Sequence, residues 1–349
     1  MHAVVVADDM GFPIAAAIDT PMFCKVLKQN IDERQLSITA IAASSQFPSG
    51  GIADGILQCI KELRIAENKD TVLFYYTGHG ALDVKKTQVY TATNRQTGKP
   101  ELLFKNQVIA AIGEHKPKLT VIISDCCSVF VDTDKILGSN EKSGSSGTTR
   151  PLFRKLFFDT DGIVDFCAAQ DGKPGWAYPV HAREDGYEGS ILTCILCEVL
   201  RKHKDSMRTW NEIFNETQQQ VRSTSGRYWT FDLMQQMYQR NGKQLTRSEY
   251  DKLIPQEPLA FMLDGFVFGL TARGLKAENG VLIDNVLAGS AADKAGFEKG
   301  DVITEIDGKA IHTPDDYSKA VDAAGRIMRL KVRDRNTGNS IETEVNLPR

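Results

Sequence analysis

Residues 71–80 read TVLFYYTGHG, and residues 119–128 read LTVIISDCCS. Both begin as runs that are apolar nearly throughout, the texture of parallel strands covered on both faces. Both end in residues that carry chemistry: His79 and Gly80 in the first, Asp125, Cys126, Cys127 and Ser128 in the second. If the two strands lie side by side, their ends bring an imidazole next to a thiol, the minimum for nucleophilic catalysis by cysteine. A free thiol, with a pKa of about 8.5, is little ionised at neutral pH, so a neighbouring imidazole assists by taking its proton. The glycines flanking His79 are expected to allow a sharp turn after the strand and to bare backbone N–H groups near a substrate carbonyl. A histidine and a cysteine also coincide at strand ends as packed core residues, so both readings stand on the residue types alone.

Working outward, further β-branched runs occur at Ala3–Ala7, Leu36–Ala42 and Ile163–Ala169, with helical patterns at Met22–Gln29, Ile52–Ile65 and Lys105–Glu114. The stretch IADGILQCIKEL sets Ile52, Ile56, Leu57, Ile60 and Leu63 on one helical stripe. This alternation predicts an α/β fold: a doubly wound, mostly parallel sheet with helices on both faces, its functional groups at the carboxyl ends of strands. LGSNEKSGSSGTTR (Leu137–Arg150) reads as a mobile loop inside that domain, since a strand and helices follow it. Helical segments at Ser190–Lys202 and Thr209–Arg222 complete the α/β layer. Residues from about Tyr228 to Pro258 are polar and Gln-rich and read as a helical connector, after which the texture is β-rich, with turn signals at Asp307-Gly308 and Thr337-Gly338. The expected organisation is therefore 1–227, a connector at 228–260, and a small domain at 261–349.

Composition narrows the function classes. Lys plus Arg number 42 against 45 for Asp plus Glu, a net charge of -3, which gives no electrostatic footprint for nucleic acid or an anionic membrane. With 42% hydrophobic and 25% charged residues the chain is expected to fold throughout most of its 349 residues. Its longest apolar runs are strand-length, far short of a membrane span, and MHAVVVADDM does not read as a secretion signal. Seven cysteines, an odd number, favour reduced thiols and a cytoplasmic location.

TGHG, with Cys127 of the D-C-C segment 48 positions after His79, resembles the caspase-like cysteine peptidases, especially metacaspases and their bacterial relatives. Those carry an S-G-H-G segment and a D-x-C segment at the ends of adjacent strands. The resemblance covers roughly residues 1–225, including AIDTPMFCKVLK, FCAAQDGKPGWAY and GSILTCIL. It implies His79 as general acid/base, Cys127 as nucleophile, and the N–H groups of Gly80 and Cys127 as an oxyanion hole. The caspase pentapeptide Q-A-C-x-G is absent. The family's D-x-C-H-S-G reads D-C-C-S-V here, without the His and Gly after the nucleophile, and Thr77 replaces the usual Ser. Cys126 is the competing nucleophile; neighbours on a strand point to opposite faces, so only one of the pair faces His79. The family register selects Cys127 and leaves Cys126 as a packed thiol.

The resemblance also implies an acidic S1 pocket for Arg or Lys, with Asp19 and Asp125 at its base. Asp19 has a second reading, as the N-cap of a helix starting near Pro21. Basic residues in and beside the Gly/Ser loop, within Lys135–Lys155, are candidate sites of self-processing, Arg150 the poorest because Pro151 follows it. Many metacaspases need calcium; Asp132 and Asp134 are acidic, but no second cluster accompanies them, so no metal is assigned and no cofactor is required by the sequence. Cys194 and Cys197 form a C-x-x-C inside the apolar run ILTCILCEVL and read as packed thiols.

GVLIDNVLAGSAADKAGFEKGDVITEIDGKAI (Gly280–Ile311) resembles a bacterial-type PDZ domain over about Leu263–Leu347. That resemblance implies binding of a peptide C-terminus by strand addition, with Phe268, Gly269 and Leu270 as the carboxylate loop and Pro314–Ala324 as the helix lining the groove. Three functions follow: an endopeptidase cutting after Arg or Lys with a PDZ domain for recruitment or regulation; an inactive caspase-like scaffold whose PDZ domain is the working part; and a hydrolase of non-peptide thioesters or amides using the same dyad.

Overall fold

The computed structural model describes residues 1–82, 88–127, 147–169, 174–264, 270–274, 280–286, 292, 295–323 and 327–346. They form two compact units, Met1–Asp159 with Asp165–Ala260, and Thr160–Val164 with Phe261–Arg349.

The larger sheet takes its strands from β1 (His2–Ala7), β2 (Ser37–Ala42), β3 (Thr71–Leu82), β4 (Gln88–Thr93), β5 (Pro100–Phe104), β6 (Leu119–Cys127), β7 (Gly162–Cys167) and β8 (Leu259–Asp264), in the order β2-β1-β3-β6-β7-β8. β1 runs parallel to β2 and β3, and β3 runs parallel to β6 from Thr71 opposite Leu119 to His79 opposite Cys127. Each of these strands was legible as an apolar run. The β4–β5 hairpin was not: QVYTAT and PELLF alternate weakly, and β4 pairs antiparallel with the far end of β3 while β5 pairs antiparallel with β4.

Helices cover both faces. On one, α3 (Ile52–Lys61) and α4 (Lys105–Gly113) bury Ile52, Ile56, Ile60, Val108 and Ile112 against Val4, Val6, Phe74, Tyr76 and Ile122. Each such side chain contributes about 1.5–3 kcal/mol by leaving water. On the other, α1 (Thr20–Asn30) sets Phe23 in a stack on Tyr75, ring centroids 4.4 Å apart. There α6 (Ile191–Lys202) places Thr193 Oγ1 2.6 Å from the Tyr75 hydroxyl. Both cysteines of the C-x-x-C are buried in α6, and burial pushes both thiols up, Cys197 to about 12. They are packed thiols, and no cluster of metal-ligating side chains occurs among the described residues.

The structure departs from expectation in two places. β3 does not turn sharply after His79; it continues straight through Gly80 to Leu82 because β4 supplies a partner for its extension. The segment expected to be a connector is instead built into the first unit. Its helices, α8 (Phe231–Arg240) and α9 (Arg247–Leu253), are followed by the fully buried Gln256 and then by β8, hydrogen-bonded beside β7 as the last strand of the large sheet. β8 thus pairs in the large sheet, while the division between the units falls within it, after Ala260.

In the second unit, β9 (Leu270–Gly274), β10 (Val281–Val286), β11 (Val302–Ile306), β13 (Ile327–Arg333) and β14 (Ser340–Asn346) form an antiparallel sheet, with the short β12 (Lys309–Ala310) on β11. Asp307 (φ 46°) and Gly308 (φ 75°) make the left-handed two-residue turn that a tight hairpin requires. α10 (Pro314–Ala323) lies where the groove helix was expected. Val281, Ile283, Ile303, Ile306, Met328 and Leu330 form the core. Phe268 and Gly269 lie outside the described residues, as do Asp132, Asp134 and loop positions 137–146, and Leu270 opens β9. Among the described residues no helix is long and apolar enough to cross a membrane.

Candidate active site

The carboxyl ends of β1, β3 and β6 converge. In the β3–β6 register His79 is directly opposite Cys127, and Gly78 is opposite Cys126. Cys126 is buried in the core cluster that also holds Phe74, Tyr76 and Tyr90, and its Sγ lies 3.2 Å from Gln88 Nε2. It is the packed thiol the strand alternation requires on one side of the sheet. Gly80 makes room for it: a Cβ there would stand 2.6 Å from the Cys126 Sγ. Gly78 has φ 148°, and a Cβ there would stand 2.5 Å from the Asp8 Cβ.

His79 faces the other way. Its Nδ1 is 3.1 Å from Oδ2 of Asp8, and Phe12 packs edge-on against the ring at 5.8 Å. Asp8, 1% exposed, follows β1 at its carboxyl end. It is the site residue that sequence reading missed; the available signal was a carboxylate directly after the apolar run AVVVA, at the strand end where functional groups collect.

Two residues before Cys127 on β6 sits Asp125, one of the predicted pocket carboxylates; the other, Asp19, comes from the helical segment just before α1. Asp19 immediately precedes α1, but its side chain makes no cap bond, so the N-cap reading fails. It accepts instead from the backbone N–H and hydroxyl of Ser190, each at 2.8 Å, and from the Thr77 hydroxyl at 2.9 Å. Asp125 accepts from the backbone N–H of Thr193 at 3.1 Å and from the Thr193 hydroxyl. Burial pushes Asp19 up to about 6 against the pull of its Ser190 and Thr77 hydrogen bonds. Burial, reinforced by the charge of Asp19, pushes Asp125 up to about 7. Two adjacent carboxylates, both shut from water, thus have no cationic partner among the described residues.

The neighbourhood of Ser190 is held by the segment expected to be a connector. Ala177 bridges Ser190, Trp229 Nε1 donates to Ala177 O at 2.8 Å, and the Gln256 side chain accepts from Trp176 N and donates to Ala168 O, both at 3.0 Å. Fixing Ala177 fixes Ser190 and hence Asp19.

Residues 53–250, more than half of the chain, match the model of the caspase domain, and residues 282–334 match that of the PDZ domain. The chain belongs to the caspase-domain family of cysteine peptidases and carries a C-terminal PDZ domain. Asp8 and Asp19 precede the matched segment. Solved structures similar to part of the chain include the HtrA3 PDZ domain bound to a phage-derived ligand, 18% identical over 23% of this chain and 80% of that one, TM-score 0.20. A PDZ domain protein from Parabacteroides distasonis is 23% identical over 23% of this chain and 19% of its own length, TM-score 0.21. An HtrA-type protease with a decapeptide is 20% identical over 24% and 29%, TM-score 0.21. No curated protein matches the chain.

Proposed function

We propose that this chain is a cysteine endopeptidase that cleaves peptide bonds after Arg or Lys, with Cys127 as nucleophile and His79 as general acid/base. The observation that carries this reading is the register pair His79–Cys127, with the buried carboxylate Asp125 two residues before Cys127 on β6 and the buried Asp19 hydrogen-bonded to Thr77, two residues before His79 on β3. His79 takes the thiol proton as the sulfur attacks the scissile carbonyl. The N–H groups of Gly80 and Cys127 receive the resulting oxyanion, and His79 returns the proton to the leaving amine. Water then hydrolyses the acyl-enzyme, with His79 again as base. At the base of the pocket a guanidinium or ammonium offers the charge-assisted hydrogen bonds that two desolvated carboxylates otherwise lack.

The PDZ domain binds a peptide C-terminus in this reading, with Phe268, Gly269 and Leu270 as the carboxylate loop, to recruit substrates or regulate access. Cys24, Cys59, Cys126, Cys167, Cys194 and Cys197 form no disulfide, which suits a reducing, cytoplasmic setting. Self-processing is assigned to Lys135 or Lys142, because Arg154 and Lys155 lie inside the helix α5 (Pro151–Phe157) and peptidases take extended chains. A second reading, the inactive scaffold, rests on Ser128 and Phe130 standing where the family's D-x-C-H-S-G pattern carries His and Gly.

Covalent labelling separates the two. A peptidyl ketone electrophile ending in Arg is expected to modify Cys127 far faster than any other thiol, as read by peptide mass mapping. Equal, slow labelling of all exposed thiols would favour the scaffold.

A further inference from the structure

We propose that Asp8 is the positioning residue of the site, holding His79 in the tautomer that keeps the basic lone pair on Nε2. This rests on the peptidase reading of His79 for its catalytic meaning, though not for its geometry.

Three strands build the contact. Asp8 leaves β1 with its backbone N–H bonded to Thr77 O at 3.0 Å, which sets it beside the end of β3. Its Oδ1 accepts from Gly11 N at 2.9 Å and from Thr93 N, at the end of β4, at 3.3 Å. Its Oδ2 meets His79 Nδ1 at 3.1 Å. The packing admits little else, since a Cβ at Gly11 would stand 2.3 Å from Oδ2. The loop that follows closes back through Phe12 N to Asp8 O at 3.0 Å and lays the Phe12 ring against the imidazole. An ionised carboxylate only accepts hydrogen bonds, so the nitrogen facing it carries the proton. In a neutral imidazole the lone pair then sits on Nε2, the atom that the proposed proton transfer uses, and the same carboxylate stabilises the imidazolium once it forms.

The test substitutes Asp8→Asn. Asn keeps an oxygen for Gly11 N and Thr93 N but presents an N–H₂ donor to Nδ1, which favours the opposite tautomer. kcat on an Arg peptide is expected to fall ~10²- to 10⁴-fold with KM changed by less than about threefold, since Asp19 and Asp125 are untouched.

The decisive readout is the long-range ¹H–¹⁵N spectrum of ¹⁵N-histidine protein above neutral pH, with the His79 signals assigned by their loss in His79→Gln. Protonated Nδ1 in the wild type and protonated Nε2 in Asp8→Asn supports the proposal. Protonated Nε2 in the wild type, or a variant with unchanged tautomer and kcat within about threefold, overturns it. The wild-type spectrum decides the question even if the variant does not fold. It also decides it if the protein shows no turnover, an outcome that would reject the peptidase reading separately.

Discussion

Cys127→Ala is expected to abolish peptide hydrolysis, a loss of at least ~10⁴-fold in kcat, because no other group can form the acyl-enzyme. Cys126→Ala is the necessary partner experiment. Cys126 is 6% exposed and packs on the α3–α4 face of the sheet, against Gln88 and over Gly80. Its truncation is expected to leave kcat within about tenfold of wild type while lowering stability by about 1–2 kcal/mol through the cavity it opens. Steady-state kinetics and urea midpoints on both variants check the assignment. The reverse pattern would place the nucleophile at Cys126 and require β6 to slip by one residue relative to β3.

Neutralising the acid pair is expected to have the next largest effect. Removing one partner of a buried, hydrogen-bonded charge pair costs about 2–5 kcal/mol, so Asp125→Asn or Asp19→Asn should lower kcat/KM for an Arg peptide by roughly 30- to several-thousand-fold. The pH dependence has a definite sign. Folding raises both carboxylates, Asp19 to about 6 and Asp125 to about 7. A raised carboxylate binds its proton more tightly in the native state, so the pair favours the fold at acid pH, and this contribution is lost as pH rises from about 4 through 7. Binding of a basic P1 side chain runs the opposite way, because it needs the ionised form: kcat/KM should fall as pH drops below about 7. Both dependences should flatten in the Asn variants, in thermal midpoints for the first and initial rates for the second. A pH-independent Arg preference would contradict the assignment.

How much of this was legible before any coordinates depends on whether a signal is local. LTVIISD and TVLFYY announce buried parallel strands because nearly every side chain is covered, and IADGILQCIKEL announces α3 because one stripe is apolar. His79, Cys127 and Asp125 were visible because they end such strands. Asp19 was visible only through family resemblance, since a carboxylate before Pro21 reads equally well as a cap; only the fold brings Ser190, 171 residues away, to its side chain. Asp8 was missed for the same reason: Asp8 and Asp9 look alike in sequence. The structure separates them, sending Asp8 to His79 and Asp9 to the backbone N–H groups of Ser44 and Ser45. The polar texture of 228–258 disguised its role because a scattered minority of its residues, among them Trp229, Met234, Leu245, Tyr250, Ile254 and Gln256, do the burying.

The most direct test of the central claim is hydrolysis of a fluorogenic peptide panel that varies only the P1 residue, with wild type and Cys127→Ala, each with and without calcium. Turnover confined to Arg and Lys peptides and absent from Cys127→Ala is the predicted result. Turnover of an Asp peptide, or Arg turnover that survives in Cys127→Ala, would contradict it.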